Sequence, residues 1–97
     1  MKAYEILFIV DPTVTDEVRA GAMARIDTAI TENGGTIDNV DNWGKRKLAY
    51  EIDKLTEGDY TLINFHADPD QIAELDRVCR INDAIKRHMI VRRPDHE

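Results

Sequence analysis

Residues 42–52 read Asn-Trp-Gly-Lys-Arg-Lys-Leu-Ala-Tyr-Glu-Ile and contain the only Trp of the chain. Leu48, Tyr50 and Ile52 place apolar side chains at every second position, which is the period of a β-strand. Gly44 precedes this alternation and indicates a bulge or kink, since glycine relaxes the backbone inside a strand. The stretch therefore predicts a bent strand, and the elements on either side of it decide the fold.

The cations of this strand, Lys45-Arg46-Lys47, have two interpretations. Together with Trp43 and Tyr50 they suit contact with a phosphate backbone. Charge on an edge strand also prevents sheets from pairing edge to edge, and the triplet alone does not separate these alternatives.

Working outward, the remaining segments follow the order strand, helix, strand, strand, helix, strand. Before the bent strand (36–52), an apolar strand (2–11) leads into a helix that Thr15 caps and Asn33-Gly34-Gly35 ends. After it come a turn (54–59), a third strand (60–67), a helix that begins at Asp68-Pro69 and a last strand (84–93). Right-handed connections turn this order into an α+β, ferredoxin-like split βαβ sandwich (βαββαβ). Its four-stranded antiparallel sheet carries two helices on one face, with the first strand central and the second at an edge.

The composition suits one intracellular domain over residues 1–97, with 94–97 as a short acidic tail. The single Cys79 follows an apolar helical stripe and is expected to be a buried thiol in a cytoplasmic protein. The sequence contains neither an apolar run of membrane length nor a signal-peptide pattern.

Charge is unevenly distributed in this chain of net charge −6. Residues 42–52 hold three bases and one acid, and residues 77–93 hold six bases and one acid. If folding brings these basic segments onto one surface, the local field would attract an anionic partner despite the acidic total.

Signals for enzyme chemistry are weak. The three His residues have no neighbouring Cys or His at metal-ligand spacing, and Gly34-Gly35 follows a helix instead of opening one. The chain contains no Ser, and its one Cys is expected to be buried, so an obvious nucleophile is lacking. We expect no enzyme, no cofactor and no metal site.

The last strand carries the second basic cluster. Arg87 alternates there with Ile85, Met89 and Val91, while another set of side chains faces the other way: Lys86, His88, Ile90 and Arg92. The helices cover one of these sets, and the pattern does not tell which. Tyr4, Tyr50 and Tyr60 suit either the core or stacking on RNA, and Trp43 has a protein interface as a further alternative.

Three stretches together resemble the family of the sixth protein of the bacterial small ribosomal subunit, protein S-six. They are Lys2-Ala3-Tyr4-Glu5-Ile6 with Asp11-Pro12, Trp43 to Ile52, and Arg80-Ile81-Asn82-Asp83-Ala84-Ile85-Lys86-Arg87-His88-Met89. The resemblance covers about residues 2–93.

The resemblance implies a structural constituent of the small ribosomal subunit that is not an enzyme. It would bind the central domain of the ribosomal RNA as a heterodimer with the basic protein S-eighteen, without membrane or small-molecule substrate. The positions that it implies for RNA binding are Tyr4, Lys45, Arg46, Lys47, Tyr50, Lys86, Arg87, His88 and Arg92. For the protein interface we expect Trp43, Leu48 and Tyr50.

Two departures from many relatives stand out, namely the acidic Glu51 and Asp53 and the short tail after Pro94. The alternative function is a small regulatory or oligomeric ligand-binding module of the same fold.

Overall fold

In a computed structural model, the described residues form four strands and two α-helices: β1 (Lys2–Val10), α1 (Asp16–Thr31), β2 (Thr36–Ile52), β3 (Leu55–Ala67), α2 (Ile72–Ile81) and β4 (Ile85–Arg92). Short 3-10 turns precede α2 and follow β4. The structure describes residues 1–32, 34–52 and 55–96, apart from the side chains of 49–52 and 96.

The sheet has the strand order β2-β3-β1-β4, and every neighbouring pair is antiparallel. Both helices pack on one of its faces and leave the other, which we call the open face, without a helical cover. This is the predicted ferredoxin-like arrangement, with β1 central and β2 at an edge. The apolar run of β1 is explained by that position, because a central strand has a sheet neighbour on each side.

The core lies between the helices and the helix-side row of the sheet. Phe8, Phe65, Ile26 and Leu75 are among its fully buried side chains. Strand spacing predicts that Thr61, Ile63, Phe65 and Ala67 share one face of β3. This is confirmed, since all four are buried while the residues between them are not. Cys79 is buried as expected, and burial raises the pKa of its thiol to about 12.

At α1, the Thr15 hydroxyl accepts a hydrogen bond from the Val18 backbone N–H at 3.2 Å, which confirms the predicted cap. Helical spacing predicts that Val18 shares the buried face of α1 with Ala22 and Ile26. This is wrong for Val18, which is 47% exposed, and Val14 packs against the core near that end of the helix. Beyond the helix, Gly34 has a φ of +88°, a conformation that glycine adopts without strain.

The predicted start at Asp68-Pro69 is confirmed in position, since Asp68 precedes the first helical turn and Pro69 opens it, but the predicted capping bond is wrong. A 3-10 turn, Pro69–Gln71, comes first, and α2 begins only at Ile72. The Asp68 side chain makes no capping hydrogen bond; its backbone carbonyl accepts from the Gln71 N–H at 2.9 Å. Its carboxylate lies 3.8 Å from the N-terminal amine instead.

The third strand begins at Leu55, earlier than the predicted Tyr60. The polar residues 56–59 have the composition of a turn, but β2 supplies backbone partners for them as far as Leu55. Lys54, in the predicted turn, lies outside the described residues. Since β1 pairs with β3 only up to Asp59, the β2–β3 hairpin projects beyond the end of β1.

A β-bulge also corrects the predicted alternation of β4. Ile9 pairs with Arg87 while Val10 pairs with Ile85, so one extra residue enters β4 at this point. Ile85 is consequently part of the core, and Arg87, Met89 and Val91 lie on the open face, opposite the row that contains His88 and Ile90. In the described part of the chain, no helix combines the length and apolar character that crossing a membrane requires.

Candidate RNA and protein interface on the open face

The middle of the open face is apolar. Leu62 of β3, Leu7 of β1 and Met89 of β4 stand in one cross-strand row, and Val91 follows Met89 on the same side. Met89 is 55% exposed and Val91 40% exposed. Large apolar side chains grouped on an exposed surface are typical of a site for another macromolecule.

One end of the open face is polar and internally paired. Arg93 donates from Nη1 to Asn64 Oδ1, and its Nε lies 3.8 Å from Glu5 Oε2. His66 Nδ1 lies 2.5 Å from Asp38 Oδ2, which links β3 to β2. These groups satisfy one another, so this end differs in character from the apolar middle.

The opposite end of the open face is aromatic and basic. The Trp43 and Tyr60 rings stack with centroids 6.0 Å apart and planes 12° from parallel. The strand register changes between Asn42 and Gly44, and Gly44 has a φ of +74°. This irregularity is the predicted break in β2, and bulges of this kind redirect a side chain.

The triplet Lys45-Arg46-Lys47 is exposed along β2 just after this bulge. Arg46 donates from Nε to the Trp43 backbone carbonyl at 3.2 Å, which holds it beside the indole. Lys45 and Lys47 stand opposite Asp59 and Glu57 on β3.

The cations at the end of the second basic segment, Lys86, Arg87, Arg92 and Arg93, lie on or directly after β4, at the opposite edge of the sheet, whereas Arg77 and Arg80 lie on α2. Two strands separate β4 from β2, which corresponds to about 14 Å between the two edges. Arg87 lies on the open face, whereas Lys86 lies at the bulge and Arg92 stands opposite Tyr4 on the helix side. Arg46 and Arg87 therefore flank the open face at its two edges, and the two basic segments do not form one continuous patch.

His88 lies on the helix-covered side, where its Nε2 is 2.6 Å from Asp76 Oδ1 of α2. Arg80 Nε lies 2.9 Å from the other Asp76 oxygen. The hydrogen bond from His88 is the main reason that the pKa of the Asp76 carboxyl is lowered from its ordinary value of 3.8; the nearby positive charges act in the same direction, and burial opposes them. His88 thus ties β4 to α2 in this structure.

We expect Asp76→Asn to reduce the free energy of unfolding near neutral pH and to matter less in acid. Because the folded-state pKa is depressed, the stabilisation is present above the unfolded-state pKa and is lost as pH falls through the lower, folded value. Urea unfolding of both proteins from about pH 7 to below about pH 3.5 measures the difference. In a protein that already carries His88→Gln, Asp76→Asn should change the free energy of unfolding less. If Asp76→Asn reduced this free energy by the same amount at every pH, the His88–Asp76 contact would not be the source of the stabilisation.

The other residues predicted for the site, Tyr4, Leu48 and Tyr50, do not all lie on the open face. Tyr4 is 8% exposed and stacks on Phe65 in the core, so its ring serves packing. Leu48 is half-buried at the end of the open face, where Gly58 lies close to both Leu48 and Ile9. A Cβ on Gly58 would lie 2.3 Å from Ile9 Cγ2, so this close packing requires glycine. The Tyr50 side chain is outside the described residues.

Tyr60 was not among the predicted site residues, although it forms half of the aromatic pair. The sequence indicates it only as one of three tyrosines that suit either the core or stacking, and the alternation of β3 places it on the face opposite Thr61. The partner ring belongs to the preceding strand, and only the register between β2 and β3 brings the two together.

Comparison with known proteins agrees with this architecture. Residues 3–92 match the family model of ribosomal protein S6. The small ribosomal subunit protein bS6 of Clostridium botulinum strain Hall is 52% identical over 94% of this chain and 97% of its own length. The protein of the same name from Caldanaerobacter subterraneus subsp. tengcongensis is 46% identical over 98% of this chain and 100% of its own.

Solved structures give the same result. The crystal structure of 30S ribosomal protein S6 from Thermotoga maritima superimposes with a TM-score of 0.92 at 41% identity, covering 98% of this chain and 90% of that one. The C-terminal domain of MgtC from Mycobacterium tuberculosis has a TM-score of 0.63 at 11% identity, over 100% of this chain and 93% of that one, and shares the fold alone.

The curated relatives carry the name of a small-subunit ribosomal protein, a structural component and not an enzyme. This confirms the non-enzymatic interpretation and the expected place on the ribosome. With the family model matching nearly the whole chain, this protein belongs to the ribosomal protein S6 family.

Proposed function

We propose that this protein binds the central domain of small-subunit ribosomal RNA as a heterodimer with protein S-eighteen. The observation that carries the proposal is the composition of the open face: an apolar middle with a basic group at each edge, in a chain of net charge −6. Family membership supports the same partners.

The phosphate contacts are assigned to Lys45, Arg46 and Lys47 at one edge and to Arg87 at the other. The triplet is exposed on a hairpin that extends past β1, so an RNA strand can approach it without meeting the helices. Lys86 and Arg92 flank Arg87 and would add to the local positive field.

The protein contact is assigned to the apolar middle of the open face, with Leu48 at its end. This surface exposes the apolar side chains of Leu62, Leu7 and Met89 to water. Burying them against a partner lowers the free energy through the hydrophobic effect. Asp41, which stands opposite Leu62, and the net charge of −6 favour a basic partner such as protein S-eighteen. RNA binding by this protein alone is then weak, and the partner strengthens it.

The test compares two triple variants with the same change in net charge. In the first, Lys45, Arg46 and Lys47 become Gln; in the matched control, the helix residues Arg25, Arg77 and Arg80 become Gln. A central-domain RNA fragment is titrated at several salt concentrations, with and without protein S-eighteen. The first variant should reduce the slope of log affinity against log salt by about 2–3, because three phosphate contacts are lost.

The control should leave this slope unchanged, and circular dichroism checks that both variants fold. An equal slope in the first variant and the unaltered protein would contradict the phosphate contacts. Equal RNA affinity with and without protein S-eighteen would contradict the heterodimer.

A further inference from the structure

An open pocket of about 660 Å³ lies beside the stacked Trp43–Tyr60 pair. Its lining also includes Asp41, Asn42 and Arg46, so aromatic surface, a carboxylate, an amide and a cation meet at one place. Trp43 is 39% exposed even though its ring is stacked on Tyr60. This combination of a flat aromatic surface with polar groups around it is how proteins bind unpaired nucleobases.

We propose that this pocket binds one unpaired nucleobase of an RNA strand, stacked on the exposed side of the Trp43 indole. The inference rests on the proposed RNA binding and adds to it a specific nucleobase site that shares Arg46 with the phosphate contacts. Tyr60 supports the indole from beneath, and Arg46 takes the phosphate joined to the bound nucleotide.

The platform is held in place before any ligand arrives. Trp43 Nε1 donates to Asp41 Oδ2 at 3.1 Å, which fixes the rotation of the indole. The Gly44 N–H donates to Asn42 Oδ1 at 2.8 Å, which fixes the bulge that carries Trp43. A ring already held in its binding orientation loses little conformational freedom on binding, and this favours affinity.

Polar groups around the indole provide the remaining recognition. Asp41 uses Oδ2 for the indole, and its second carboxylate oxygen can accept a hydrogen bond from the exocyclic amino group of a base. Arg46 uses Nε for the Trp43 carbonyl, and the terminal amines of its guanidinium suit a phosphate.

Charge favours RNA over a protein as the occupant. Arg46 lines the pocket and is flanked in the chain by Lys45 and Lys47, so the local positive field of this hairpin would repel the basic protein partner proposed above. The same cations attract a nucleotide, because every base in a strand is attached to a phosphate. The apolar middle of the open face, one row away, remains available for the protein partner.

Trp43 is the only Trp of the chain, so its fluorescence reports on this pocket alone. The experiment titrates the full-length protein with a cytidine hexaribonucleotide, whose base carries an amino group, and records Trp43 emission together with the anisotropy of a labelled copy of the oligonucleotide. We expect emission to change in parallel with anisotropy, as a base stacks on the indole.

Two variants test the parts of the pocket. Trp43→Ala should weaken oligonucleotide binding by roughly 5- to 150-fold, the usual range for the loss of one aromatic stack. Arg46→Gln retains the fluorescent reporter and should reduce the salt slope by about 0.7, since one phosphate contact to a single strand is lost. Val40→Ala and Arg25→Gln are the matched controls, because Val40 is an exposed apolar residue of the same strand and Arg25 an exposed cation of α1.

The outcomes separate the two proposals. If the oligonucleotide and the central-domain RNA bind without any change in Trp43 emission, the nucleobase site is overturned and the proposed function stands. A change in emission with protein S-eighteen alone, and none with RNA, would assign the pocket to the protein partner and overturn the site. If no RNA binds with or without protein S-eighteen, the proposed function itself fails.

Discussion

Replacing Phe8 by Ala should reduce the free energy of unfolding by about 3–5 kcal/mol, because a fully buried aromatic ring is removed and the cavity fills only partly. Phe8 lies on the central strand, where neighbouring strands on both sides and the helices above limit how far the site can collapse. Domains of this size are stable by about 5–15 kcal/mol, so the loss is a large fraction of the total. Urea unfolding measures it as a lower midpoint at an unchanged slope.

Leu7→Ala is the matched control for Phe8→Ala. Leu7 is the preceding residue of the same strand, but it lies half-buried on the open face. We expect a loss below about 2 kcal/mol for it, since less apolar surface returns to water. Leu7→Ala should instead weaken binding of protein S-eighteen. Equal losses of stability in the two variants would contradict the division of β1 into a core side and an open side.

Arg19→Met should reduce the free energy of unfolding by about 2–3 kcal/mol, because it leaves the buried carboxylate of Asp59 without its cation. Arg19 Nη1 lies 3.0 Å from Asp59 Oδ2, and the Asp59 side chain is only 4% exposed. The other carboxylate oxygen, Oδ1, is buried without a hydrogen-bond partner among the described residues. The partial exposure of Arg19 is the reason for placing the cost below that of a fully buried pair.

The second ion pair of Arg19 provides the control. Arg19 Nη2 lies 2.8 Å from Asp16 Oδ1, whose side chain is 97% exposed. Asp16→Asn should cost less than about 1 kcal/mol, since an exposed pair and one charge near a helix start contribute little. The double variant Arg19→Met/Asp59→Asn should lose less than the sum of its single variants. Equal costs for Asp16→Asn and Arg19→Met would show that burial does not govern the pair.

The Arg19–Asp59 pair also bears on RNA binding. It joins the first turn of α1 to β3 at the level where β1 ends and the hairpin begins to project, directly across from Lys45. Arg19→Met should therefore weaken RNA binding at temperatures where the protein remains folded, by loosening the hairpin that carries the cations. The loss should be smaller than that of the triple Gln variant.

Much of the fold is determined by local patterns. The apolar run of β1, the Thr15 cap, the alternation of β3 and the apolar stripe of α2 predict the elements and their order, and right-handed connections then leave the ferredoxin-like sheet. Local patterns failed where backbone partners come from elsewhere in the chain. The polar residues 56–59 have the composition of a turn but are strand because β2 pairs with them. At Asp68 the difference is local, since its side chain makes no capping hydrogen bond and a 3-10 turn precedes the helix.

The sequence by itself determined the family, the element order and the basic character of residues 45–47, because spacing, capping and charge are properties of neighbouring residues. Only the tertiary structure decided which side chains share a surface. The bulge in β4 sends Ile85 into the core and Arg87 to the open face, and the register of β2 with β3 places Trp43 over Tyr60. Tertiary packing also places the Tyr4 ring in the core, stacked on Phe65, and brings His88 into contact with Asp76. The physical reason is that a shift of one residue in strand pairing moves a side chain to the opposite face, and pairing depends on residues distant in the chain.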